Sequence, residues 1–247
     1  MNTSRATIES YGISDIGLSR KTNEDVFAEL PHHGFYVLAD GIGGHQAGEV
    51  AAKEAVFELC DLIDVLFAED RSSLSLDYVV TALKRAFVHT NEWVHTLSTK
   101  HPELGGMGTT LSCVLFFHDH CIYAHVGDSR IYRFRSHLEQ LTSDHSIAED
   151  LMKEGDLDRQ TAALFKHVLT RAIGMTPTIT PDVGVIPLQP GDLFLLCSDG
   201  LTDALTDAEI ETALKTEKRL KEAAFSLVDL AKEKKGSDNI TLLLLRT

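Results

Sequence analysis

The chain is short of basic residues, of cysteine and of long apolar runs, and each shortage excludes a class of function. Lys and Arg total 23 against 37 Asp and Glu, a formal charge of −14, and no basic run occurs. A nucleic-acid backbone would find no positive stripe, so nucleic acid is excluded as the main partner. The four cysteines, Cys60, Cys113, Cys121 and Cys197, form no C-x-x-C pair. Three fall in predicted strands, which suits buried reduced thiols in a cytoplasmic protein and not a disulfide or zinc framework. Residues 1–11 are polar with no apolar signal core. No apolar stretch nears the roughly 20 residues that span a bilayer, so no membrane association is expected. There is one tryptophan and no aromatic-rich motif for stacking a base. The Gly-Lys-Ser/Thr ending of a phosphate-binding P-loop is absent, as is the spaced G-x-G-x-x-G of dinucleotide folds.

What is present reads as one domain over 1–247, long enough to bury about 75% of its unfolded surface without a covalent staple. Apolar residues make up 43% and charged residues 24%. Strands are predicted at Thr7–Ile13, Val26–Leu30 and Phe35–Asp40. Two helices follow, one carrying Leu59, Leu62, Ile63, Leu66 and Phe67, the other Val79, Leu83, Phe87, Val94 and Leu97. Thr109–Phe117, Cys121–Val126 and Ile131–Phe134 read as an antiparallel meander. Ser146–Lys153 reads as a short helix capped by Asp144. Strands at Asp182–Ile186 and Asp192–Cys197, a helix over Leu220–Ala231 and a strand at Ile240–Leu245 complete the chain. Antiparallel strands flanked by helices give an α+β layered sandwich.

Three apolar runs end in an acid followed by a small residue: Asp40-Gly41, Asp128-Ser129 and Asp199-Gly200. A fourth acid, Asp238, precedes the last strand. A carboxylate at the end of a core strand is costly unless something positive neutralises it. Too few basic residues lie nearby to pair all four, which points to hard cations held by oxygen ligands. Arg20-x-x-Asn23-Glu24-Asp25 adds a guanidinium beside two acids, and the glycines of Asp40-Gly41-Ile42-Gly43-Gly44 let backbone approach a ligand closely. His118-Asp119-His120 has no further His or Cys at ligand spacing and is read as a turn.

In this order, with Gly108-Thr109-Thr110, Val126-Gly127-Asp128-Ser129-Arg130, Asp144-His145-Ser146, Ser198-Asp199-Gly200 and Ser237-Asp238-Asn239-Ile240-Thr241, the motifs resemble the type 2C family of metal-dependent protein phosphatases. The likeness runs from Asp15 to Thr241 and points to the bacterial single-domain branch. It implies a four-layer α-β-β-α sandwich of two mainly antiparallel sheets flanked by helices. It implies two Mg²⁺ or Mn²⁺ ions bridged by Asp40, with Asp199 and Asp238 on one and Glu24 and the Gly41 carbonyl on or near the other. Asp128 with Asp199 would offer a weaker third site, and segment 144–170 would be a flap beside the active site. The activity implied is hydrolysis of phosphoserine and phosphothreonine in proteins, by water activated between the ions and without a covalent intermediate. Arg20 is the candidate phosphate clamp, since a planar guanidinium grips two phosphate oxygens.

The sequence departs from the animal pattern at Ile42, where a proton-donating histidine would stand. Water on a metal, His45 or His145 is left to supply the proton. A monomer acting on substrates of a cognate bacterial kinase is expected. The alternatives are a catalytically silent phosphoprotein-binding module and a hydrolase of a small phosphate ester.

Overall fold

The structure, a computed structural model, describes residues 8–43, 47–68, 71–154, 161, 163–165 and 167–247. Its central strands are apolar on both faces because each is covered twice. One sheet has the order β1 (Glu9–Asp15), β11 (Ile240–Arg246), β10 (Leu193–Cys197), β7 (Arg130–Phe134), β8 (Leu138–Gln140). The other runs β2 (Asp25–Leu30), β3 (Phe35–Ile42), β5 (Leu111–Phe117), β6 (His120–Val126), β9 (Asp182–Pro187), with β4 (Gly108–Thr109) on the end of β3. Every pairing is antiparallel.

Side chains alternate between layers with the two-residue period of a strand. On β3, Tyr36 and Leu38 enter the cluster between the sheets, while Phe35, Val37 and Ala39 face outward under helices. On β11, Leu243 and Leu245 point inward, and Ile240, Leu242 and Leu244 point to the other helical layer. Helices α1 (Ala47–Leu66) and α2 (Leu76–Lys100) cover the β3 sheet through Leu59, Ile63, Leu83 and Phe87. Later in the chain come α3 (Ile147–Glu154) and the short α4 (Asp199–Thr202). They are followed by α5 (Asp207–Thr216) and α6 (Leu220–Glu233), which cover the β11 sheet. The result is the four-layer sandwich.

The structure differs from the sequence pattern at several points. The three strands that resemble one meander divide between sheets: β5 pairs β6, but β7 pairs β10. The turn Gly127–Ser129 therefore carries the chain from one sheet to the other. Asp144 does not cap α3; it is taken by Arg130 at 2.7–3.0 Å, and Ser146 Oγ accepts the Glu149 amide instead. Helix α5 is not among the predicted elements, although Thr206 and Glu209 form a capping box at its start. Nor is β8, whose three residues are too few for a periodic signal.

Candidate metal centre

The site lies where strand ends of both sheets meet. Asp25 and Asp40 are direct cross-strand partners on β2 and β3. Threonines fix the Asp40 backbone: its amide donates to Thr110 Oγ1 at 2.9 Å, and its carbonyl accepts from the Thr110 amide and Thr109 Oγ1, each at 2.8 Å. Gly41 follows where no side chain fits, since a Cβ would lie 2.3 Å from the Gly48 carbonyl oxygen and 2.8 Å from that of Glu24. Asp199 opens α4, and Asp238 ends the loop before β11.

Arg20 and Glu24 come from the loop after β1, which is tied to β11 by Asn239. The Asn239 carboxamide accepts the Glu24 amide at 2.9 Å and donates to the Ile16 and Thr22 carbonyls, each at 3.0 Å. Gly17, at φ 75°, lets that loop pass against the Asp238 backbone, where a Cβ would sit 2.1 Å from the carbonyl oxygen.

Arg20, Glu24, Asp40, Gly41, Asp128, Asp199 and Asp238 all line one cleft of about 420 Å³. Thus the seven residues singled out from the sequence are neighbours in space. Ile42 lines it too. His145 does not: it is buried, and Gly127 and Asp182 take its two ring nitrogens. His45 lies outside the described residues, as does part of segment 144–170. His118 sits in the β5–β6 turn at φ 52°, and Asp119 pairs with His120 at 2.8 Å.

Two groups at the site are not among the candidate ligands read from the sequence. Asp25 is 7% exposed and accepts from Ser198 Oγ at 2.8 Å. Its adjacency to Glu24 in the motif is the available signal. His167 approaches Asp199 at 3.8 Å and Asp203 at 3.6 Å. Asp199 and Asp203 stand four apart, which a helix brings to one face; nothing in the sequence brings His167 to them.

The electrostatics are those of crowded anions. Burial, then repulsion from Asp25, Asp199, Asp128 and Asp238, holds the Asp40 carboxyl well above the usual range. Burial raises Asp25 to about 6 against the hydrogen bonds it accepts, with Asp199 and Asp238 adding to the rise. Burial and Asp199 raise Asp128 to about 7. Asp199 Oδ1 is buried with no hydrogen-bond partner. Such an oxygen, amid carboxylates that repel one another, fits a divalent cation as its missing partner.

Residues 11–240 match the family profile described as Protein phosphatase 2C. The serine/threonine phosphatase Stp of Listeria monocytogenes is 36% identical over 237 residues, covering 94% of this chain and 92% of that protein. The Mycobacterium tuberculosis serine/threonine phosphatase PstP/Ppp superposes with a TM-score of 0.86 at 33% identity, over 97% of this chain and 98% of that one. The catalytic domain of the phosphatase PstP in complex with two manganese ions gives 0.84 at 32% identity, over 97% of both chains.

Proposed function

This chain belongs to the protein phosphatase 2C family and is a metal-dependent serine/threonine phosphatase, and from that premise we propose which residues perform the reaction. Asp40, Asp199 and Asp238, with Glu24 and the Gly41 carbonyl, would hold two divalent cations, Mn²⁺ or Mg²⁺. Asp128 with Asp199 would offer a weaker third site. The observation that carries this is the convergence of these groups on one cleft around a buried carboxylate oxygen without a partner.

When bound, the cations activate water for attack on phosphorus and neutralise the transferring group. The chain's own groups supply position. Arg20 reaches into the cleft with its side chain about half exposed, placed to grip two phosphate oxygens. The Thr110 and Thr109 contacts hold Asp40 rigid, so the geometry is set before substrate arrives. Attack by water needs no covalent phosphoenzyme, and no cysteine lines the cleft. Ile42 cannot donate a proton and His145 is engaged elsewhere, which leaves water on a metal, His45, or His167 that also lines the cleft to protonate the leaving oxygen.

The substrates are phosphoproteins, and we infer that a cognate bacterial kinase generates them. Residues 1–247 are read as a single catalytic domain, with the flap at about 144–170. We take the protein to be a cytoplasmic monomer. Four buried free cysteines support a reducing compartment, the charge of −14 disfavours nucleic acid, and among the described residues no helix is long and apolar enough to cross a membrane.

The test is turnover of an aryl phosphate and of a phosphothreonine peptide, with Mn²⁺, with EDTA, and with Asp199→Ala. Mn²⁺-dependent turnover of the peptide, lost in the other two arms, is expected. Robust turnover in EDTA defeats the two-cation account. Turnover of the aryl ester alone points to a small-ester hydrolase, and none at all to a silent binding module.

A further inference from the structure

Behind the turn that carries Asp128, one residue holds both polar groups of Gly127. The Gly127 amide donates to His145 Nδ1 at 3.1 Å, and the His145 amide donates to the Gly127 carbonyl at 3.0 Å. Gly127 stands at φ 107°, with Thr110 so close on its other side that a Cβ would lie 2.6 Å from Thr110 Cγ2. Thr110 in turn bonds Ser129 Oγ at 2.7 Å and the Asp40 amide. The turn is thus wedged between His145 and the residue that holds Asp40.

The far nitrogen of the ring is also used. His145 Nε2 lies 3.2 Å from Asp182 Oδ2, and Arg171 donates to Asp182 Oδ1 at 2.9 Å. His125 stacks on the ring with centroids 4.4 Å apart and planes at 22°. His125, His145 and Asp182 bring potential ligand atoms within 4.8 Å of one another, so the cluster invites a metal reading. The Gly127 amide argues against it. An N–H aimed at Nδ1 requires a lone pair there, which puts the ring proton on Nε2, where a metal would have to bind. Burial lowers the pKa of His145, which favours this neutral tautomer. The ring is a bridge between two hydrogen-bonding groups.

We propose that His145 is a positioning residue for Asp128: by gripping the amide and carbonyl of Gly127 it fixes the turn that presents the Asp128 carboxylate to the cleft, while Asp182 holds the ring in the tautomer that the grip requires. The proposal rests on the reading of Asp128 as a ligand of the weaker cation site. It also explains the Asp144-His145-Ser146 motif, which backs the Gly127–Arg130 segment, with Arg130 locking onto Asp144 next door.

Amide side chains separate the two ends of the bridge. In His145→Asn the Oδ1 atom stands near Nδ1 and still accepts the Gly127 amide. In His145→Gln the Nε2 atom stands near the ring Nε2, keeping Asp182 and losing Gly127. Mn²⁺ binding is measured by the electron paramagnetic resonance of free Mn²⁺, independent of turnover. His145→Gln should weaken the weaker class of sites roughly tenfold or more, as outer-shell changes do, with the tighter class unchanged, and His145→Asn should recover most of that loss. In an Asp128→Asn background, His145→Gln should cost nothing further. Asp182→Ala, at a half-exposed position, should give a smaller loss in the same class and serves if His145→Gln does not fold. A parent-like isotherm for Asp128→Asn overturns the metal role of Asp128 and the positioning role with it. Loss in Asp128→Asn beside parent-like binding in His145→Gln or Asp182→Ala overturns the positioning role alone, as do losses that multiply in the double variant.

Discussion

Arg20 Nη2 lies 2.6 Å from Asp238 Oδ2, joining residues 218 positions apart in the chain. Both line the cleft. The candidate phosphate clamp and a candidate cation ligand are therefore paired with each other.

Arg20→Ala should raise KM for a phosphothreonine peptide and lower kcat, together roughly 10- to 100-fold in kcat/KM, as expected for loss of a charge-assisted contact. Mn²⁺ binding should survive, since Asp238 loses a competitor and not a ligand. Steady-state kinetics beside a Mn²⁺ titration check both, and unchanged kinetics would remove Arg20 from the site.

Stability should depend on pH in an unusual direction when metal is stripped by EDTA. A carboxyl whose folded pKa is raised binds protons more readily folded than unfolded, so its contribution favours the fold at low pH. That contribution is lost as pH rises from the ordinary 3.8 through about 6 for Asp25 and about 7 for Asp128. His33, His125 and His145, whose pKa values burial lowers, push the other way over the same range, so the carboxyl contribution is read against a variant. In EDTA the change in Tm from pH 5 to pH 7.5 should be more negative for the parent than for Asp128→Asn, which keeps those histidines, and an equal change in the two would contradict the crowding of anions at Asp128.

Asn239→Asp tests the latch between the first loop and β11. A carboxylate still accepts the Glu24 amide but cannot donate to the Ile16 and Thr22 carbonyls. The expected cost is about 2 kcal/mol by urea unfolding, with a higher KM for phosphopeptide because Arg20 rides on the released loop. Parent-like values for both would show that the loop is held by other contacts.

The thiols should be silent in the native protein. All four cysteines are buried, and burial pushes Cys60 and Cys197 up to about 12 and raises the other two. A thiol reagent at pH 8 should label none rapidly before denaturation and all four after it, with activity intact in the meantime. Fast labelling of any one with loss of turnover would place that thiol at the cleft.

Much was legible in the sequence because it was local. The runs Phe35–Ala39, Leu193–Cys197 and Ile240–Leu245 are apolar at nearly every position, which marks strands buried on both faces, and the helical periodicity of Leu59 to Phe67 and Val79 to Leu97 marks their cover. Acids at the ends of such strands need a positive partner, and that physical cost marks Asp40, Asp128, Asp199 and Asp238 in the sequence alone.

Tertiary structure alone decided how these pieces meet. Whether β7 pairs with β6 or with β10 is a choice between sheets that the sequence of the β6–β7 turn does not encode, because Gly127-Asp128-Ser129 serves a hairpin as well as a crossing. The cross-strand pairing of Asp25 with Asp40, the approach of His167 to Asp199 and the grip of His145 on Gly127 depend on contacts between distant segments, which no periodicity records. The sequence determined which groups are costly to bury; packing of the two sheets determined that they line one cleft together.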